Sequence, residues 1–145
     1  MLAKAYHELQ DRQQKEINDF PIAFAFSDEQ LQEALKKLNA DISECCTYMQ
    51  IGDVVRKKDV PALREMLKRH KQETYDFLKG DKEDIYEAFL YEMDNHEYAI
   101  NWEGDADVLG CFCLTPKMLN EMGLEDIYRR ARNAHMKHAQ EWDMI

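Results

Sequence analysis

The sequence predicts an α+β fold: one globular domain over residues 1–145, predominantly helical, with about five helices and a small β element. Three observations predict it. Apolar residues recur at helical spacing through most of the chain. Helix-start signals stand at Ser27, at Pro61 and at Thr115-Pro116. Only two short stretches, PIAFAF at 21–26 and the region 40–58, carry the alternation and turn residues of strands. Apolar residues make up 45% of the chain, and it holds three prolines and five glycines. Such a composition can bury a core without disulfides or a metal.

In chain order, Leu2, Tyr6, Leu9 and Ile17 mark a helix over 2–18, closed by Asn18-Asp19 and Pro21. PIAFAF reads as a short strand with Ile22, Phe24 and Phe26 alternating with alanines. Ser27 caps the next helix, whose face is Leu31, Leu35 and Leu38 and which ends near Asn39. CTYMQI and VVRK read as two strands around a Gly52-Asp53 turn. Pro61 opens a helix lined by Leu63, Leu67, His70, Thr74 and Phe77-Leu78, and Gly80 closes it. Asp81 or Asp84 opens another, with Ile85, Ala88-Phe89 and Met93 inward, ending near Asn95. Residues 96–114, holding Gly104 and Gly110, suit a strand–loop–strand or a long loop. A helix restarts at Thr115-Pro116, is interrupted at Gly123, and runs on over about 125–142, carrying Ile127, Ala131, Ala134, His138 and Trp142. That amphipathic last helix, ending in Trp142, offers a face for a homodimer.

The charge is not spread evenly. The chain carries −10, yet residues 83–116 hold nine acids and no lysine or arginine, which leaves only −1 for all the rest. Within it, YEMDNHEYAINWEGDAD (91–107) holds six carboxylates among Tyr91, Tyr98 and Trp102. An acidic balance excludes non-specific binding to a bare phosphate backbone, where affinity comes from cations displacing counterions. Two readings stay open. One is a solvated acidic face, neutralised after folding by RKK at 56–58, LKRHK at 67–71 or RRAR at 129–132. The other is a surface whose carboxylates stand where a basic partner expects phosphates. The contacts it names are Glu92, Asp94, Glu97, Glu103, Asp105 and Asp107, with Tyr98 as an aromatic anchor.

Reaction classes narrow quickly. There is no phosphate-cradling glycine loop, dinucleotide fingerprint or nucleophile elbow. Cys111 or Cys113 could pair with His96 as a nucleophile, but buried cysteines are usually inert packing. Asp105-Ala106-Asp107 lacks the glycine and closing glutamate of a calcium loop. Cys45-Cys46 and Cys111-Phe112-Cys113 lack zinc-ribbon spacing, and His135, His138 and Glu141 lie at helical-turn intervals. A non-enzymatic protein without cofactor or metal is therefore expected. The alternatives are a metal-dependent enzyme or metal-stabilised domain centred on Asp94, His96, Glu97, Asp105 and Asp107, and a structural or assembly protein. The opening MLAKAYHELQDRQQKE has no apolar leader core, and no apolar run nears the roughly 18 residues of a spanning helix. A cytoplasmic protein with reduced thiols and no membrane contact is expected.

Three stretches carry a resemblance: FPIAFAFSDEQLQEAL at 20–35, IGDVVRKKD at 51–59 and EAFLYEMDNHEYAINWEGDADVLG at 87–110. Over residues 5–115 they resemble a family of small acidic uncharacterised proteins from bacteriophages and mobile elements of gut Firmicutes and Bacteroidetes. The chain departs from that family at Asp53-Val54-Val55, where relatives are richer in glycine, and in its C-terminal helix. The resemblance implies a mobile-element protein in a bacterial host cell and no assigned activity. Combined with the charge, it implies an inhibitor of a host defence nuclease, a CRISPR effector or restriction enzyme, acting by occupying its nucleic-acid-binding surface.

Overall fold

The computed structural model describes residues 3–96 and 102–143. The fold is α+β and predominantly helical, with seven α-helices and a three-stranded sheet among the described residues. Contacts divide the chain into two compact units, Asp11–His70 and Met1–Gln10 with Lys71–Ile145. The boundaries fall inside helices α1 (Lys4–Asp19) and α3 (Val60–Phe77).

The Asp11–His70 unit is built on the sheet. Strand β3 (Asp53–Arg56) lies between β1 (Ile22–Phe24) and β2 (Cys45–Cys46), antiparallel to both, with Ile22 opposite Val55 and Cys46 opposite the same residue. Both faces are covered. Ala23 and Val54 pack on Ala34, Leu35 and Leu38 of α2 (Asp28–Leu38), while Ile22 and Val55 pack on Leu63 and Met66 of α3. That double cover corrects the alternation expected of PIAFAF. Ile22 and Ala23 are both buried, whereas Phe24 is 45% and Phe26 75% exposed. Ser27 caps α2 as expected, its hydroxyl accepting from the Gln30 N–H, and Asn39 ends the helix in the left-handed region at φ 50°.

VVRK falls in β3 as far as Arg56, but the expected strand CTYMQI does not form: only Cys46 of it belongs to β2, and Gly52-Asp53 is not a two-residue turn. Residues 47–52 form a loop wound around the Asp53 carboxylate, which is 2% exposed. That carboxylate accepts from the Thr47 hydroxyl (2.7 Å) and from the backbone N–H of Tyr48 (2.9 Å), Met49 (3.0 Å) and Ile51 (3.2 Å). Burial by itself would raise its pKa. The donations from Met49, Thr47, Tyr48 and Ile51 outweigh it and hold the group down at about 2. Gly52, at φ +88°, supplies the left-handed residue beside the Phe26 ring, where a Cβ would collide.

In the other unit, α4 (Lys82–Asn95) is capped by Asp81, which accepts from the Asp84 N–H. Its buried stripe is Ile85, Ala88, Phe89, Glu92 and Met93. It packs with α7 (Glu125–Asp143). Phe89 sits at the centre, edge-on to Phe112 (5.0 Å between ring centroids) and to Tyr128 (5.4 Å). The region 96–114 departs from the strand–loop–strand reading: Trp102–Gly110 is a helix, α5, while residues 97–101 lie outside the described residues. Glu103 and Asp105 stand in its first turn, where the helix dipole favours anions. Val108 and Leu109, with Phe112 just beyond, enter the core at helical spacing. Thr115 then caps α6 (Pro116–Glu121), and Gly123 turns the chain at φ +69°. On α7 the buried face is Tyr128, Ala131 and His135. Ile127, Ala134 and His138 are half-buried and Trp142 is 51% exposed.

Candidate functional site: the anionic α4–α5 region

The acids of 83–116 meet different fates because a helix presents each position to one side only. Glu83, near the start of α4, pairs with Arg130 of α7 through two contacts of 2.6 and 3.2 Å, and that guanidinium also lies over the Tyr86 ring at 4.0 Å. The arginine holds the Glu83 carboxyl below its ordinary range. Asp84 goes the other way, raised by partial burial and by its neighbours Asp81 and Glu87. Glu87 accepts from the Ala3 backbone N–H at 3.1 Å.

Glu92 corrects an expectation. Placed among the surface contacts by sequence, it falls on the buried stripe of α4 and is 5% exposed, turned toward Tyr6 and Cys111. Asp94 is half-buried and bridges two histidines of α7: its Oδ1 accepts from His135 Nδ1 at 2.7 Å and its Oδ2 from His138 Nδ1 at 3.0 Å. An ionised carboxylate only accepts, so both ring nitrogens act as donors. The Trp142 ring lies 6.2 Å from His135 and 6.1 Å from His138.

Glu103 and Asp107 are exposed on α5. Asp105 is half-buried and accepts from the Tyr128 hydroxyl at 2.7 Å. Glu97 and Tyr98 lie outside the described residues. The structure thus brings Asp94, Glu103, Asp105 and Asp107 to the α4–α5 region and withdraws Glu92 from its surface.

Three arginines of the basic stretches have acidic partners outside residues 83–116. Arg56 pairs with Asp59 at 2.7 Å, and Arg69 with Glu16, both within Asp11–His70. On α7, Arg129 pairs with Asp126 of its own helix at 3.0 Å, and Arg132 lies over the Tyr128 ring. The Cys111 thiol reports the acids near it: burial, then Glu92 and Asp107, push it up to about 12. The Tyr6 phenol is likewise raised, first by burial and then by Glu92.

Of the metal ligands considered from the sequence, Glu97 lies outside the described residues. Among the described residues, the donor atoms that gather in this region belong to Glu92, His96 and Cys111, whereas Asp94 is taken up by the two histidines. The pairing of Cys111 with His96 is real, at 3.4 Å between Sγ and Nε2. The raised thiol works against the thiolate that a nucleophile needs. Sequence reasoning missed the approach of Cys111 to Glu92 because it depends on α5 being a helix. The position of Glu92 on the stripe of Ile85, Ala88, Phe89 and Met93 could have revealed its inward turn.

Fold and site define a predominantly helical α+β protein with an anionic helix pair against its C-terminal helix. The chain belongs to a family of unknown function, DUF7659, whose model matches residues 5–134. The match runs past residue 115 into the first half of α7, which the resemblance had left outside. No curated protein and no solved structure matches the chain. Among the described residues, no helix is long and apolar enough to cross a membrane.

Proposed function

We propose that this protein is a non-enzymatic binding protein whose α4–α5 carboxylates engage a cationic surface on a partner. One observation carries the reading. Arg130 reaches Glu83 at one end, while Glu87 accepts from a backbone N–H, Asp94 from two histidines, and the partners of Asp105 include a phenol. Backbone and phenol donors satisfy hydrogen bonds without cancelling charge. Exposed Glu103 and Asp107 add to the same field. A groove lined with lysine and arginine for nucleic acid is the natural complement to such a surface. Together with the likeness to mobile-element proteins, this makes the partner a nucleic-acid-binding protein of a bacterial host, a CRISPR effector or restriction enzyme, and the role that of an inhibitor in the host cytoplasm.

The test is displacement. Purified CRISPR effectors and restriction endonucleases, loaded with labelled target DNA, are titrated with the full chain. One of them is expected to release its DNA. A Glu103→Gln, Asp107→Asn double variant with an unchanged melting temperature is expected to release it several-fold less well. Failure of displacement in every case, or equal potency of the neutralised variant, overturns the reading.

A further inference from the structure

We propose that Glu92, His96 and Cys111 form a binding site for one divalent transition-metal ion of the zinc class. Glu92 and His96 stand four residues apart at the end of α4, so their side chains lie one above the other. Helix α5 ends at Gly110 and delivers Cys111 to the same place. The Cys111 Sγ is 3.4 Å from His96 Nε2, and that nitrogen is 3.9 Å from Glu92 Oε2. One ligand atom from each of the three residues lies within 4.8 Å of the others. Tetrahedral zinc, with bonds of about 2.3 Å to sulfur and about 2.0–2.2 Å to nitrogen or oxygen, sets neighbouring ligand atoms about 3.4–3.6 Å apart. The side chains need only small adjustments to meet that geometry.

The chemistry of the donors narrows the ion. A thiolate, an imidazole and a carboxylate suit zinc or cobalt and not magnesium or calcium, which demand oxygen shells. Three protein ligands leave a fourth position for water. Surroundings of the kind that orient metal ligands are present. Glu92 is 5% exposed, the Tyr6 hydroxyl hydrogen-bonds to it, and Gln10 Nε2 donates to that hydroxyl at 2.9 Å. A buried carboxylate facing a thiol and an imidazole is a costly arrangement that a cation relieves. On binding, the ion replaces the thiol proton: a sulfur–metal bond forms, the S–H bond breaks, and the proton leaves to solvent. The ion would fasten the end of α4 to the end of α5.

The full chain, stripped with chelator, is dialysed against Zn²⁺ and separately titrated with Co²⁺. One Zn²⁺ per chain is expected, together with a thiolate-to-cobalt charge-transfer band in the near ultraviolet. Cys111→Ser abolishes the band and weakens Zn²⁺ roughly tenfold or more. His96→Gln, at a more exposed position, weakens it comparably and guards against a folding defect in the cysteine variant. Cys113→Ser leaves both readouts unchanged. Absence of the cobalt band, its persistence in Cys111→Ser, or its loss in Cys113→Ser overturns the proposal.

Discussion

Asp53→Ala is expected to destabilise the Asp11–His70 unit by roughly 3–5 kcal/mol, because it strands several buried donors at once. The carboxylate organises the whole 47–52 loop: three backbone N–H groups and one hydroxyl converge on it, and it sits 2% exposed at the start of the central strand. Water cannot easily replace it there. Asp53→Asn keeps one carbonyl acceptor but points an NH₂ at the remaining donors, so it is expected to recover only part of the loss. The same group dictates an acid response. Its folded pKa of about 2 lies below the ordinary 3.8, so its contribution is complete above pH 4 and is lost as pH falls toward 2. Urea denaturation of wild type at pH 6 and pH 2.5 should therefore differ by more than the same comparison in Asp53→Asn. Equal pH dependence in the two proteins would contradict the assignment.

Asp94→Ala is expected to cost roughly 2–4 kcal/mol, the second-largest effect, by removing the acceptor shared by two histidines. His135 is the critical partner, since it is 1% exposed and cannot turn its Nδ1–H to solvent. His138 is half-buried, so His138→Gln should be much milder than His135→Gln. Asp94→Asn retains one carbonyl acceptor and should fall between wild type and Asp94→Ala. The joint α4–α7 packing makes the effect global, visible in urea midpoint and not only in local fraying. An Asp94→Ala variant within about 0.5 kcal/mol of wild type would mean the histidines are held by other contacts.

What could be read from the sequence was what is decided locally. Ser27, Asp81 and Thr115 each accept from a backbone N–H three residues on, so their caps are visible in a short window. The leucines of α2 and the stripe of α4 follow from periodicity in the same way. What escaped depends on tertiary partners. Ile22 and Ala23 are both buried because β1 is covered on both faces, which no alternation in PIAFAF could announce. Helix α5 hides behind Gly104 and Gly110, and its apolar Val108 and Leu109 gain meaning only against the Phe89–Phe112 core. The anionic crowding of 83–116 was plain from composition. Glu92 turns inward by its place on the α4 stripe, whereas the α7 register decides which acids gain partners there, Arg130 taking Glu83 and His135 and His138 taking Asp94.

The most direct measurement of the proposed charge-based role is the ionic-strength dependence of the chain's binding to a nuclease from which it releases DNA. Binding carried by Glu103, Asp107 and their half-buried neighbours should weaken steeply as salt rises, by roughly tenfold or more in association rate. The Glu103→Gln, Asp107→Asn variant should have a shallower dependence. An affinity indifferent to salt, or the same slope in both proteins, would contradict the claim that these carboxylates make the interface.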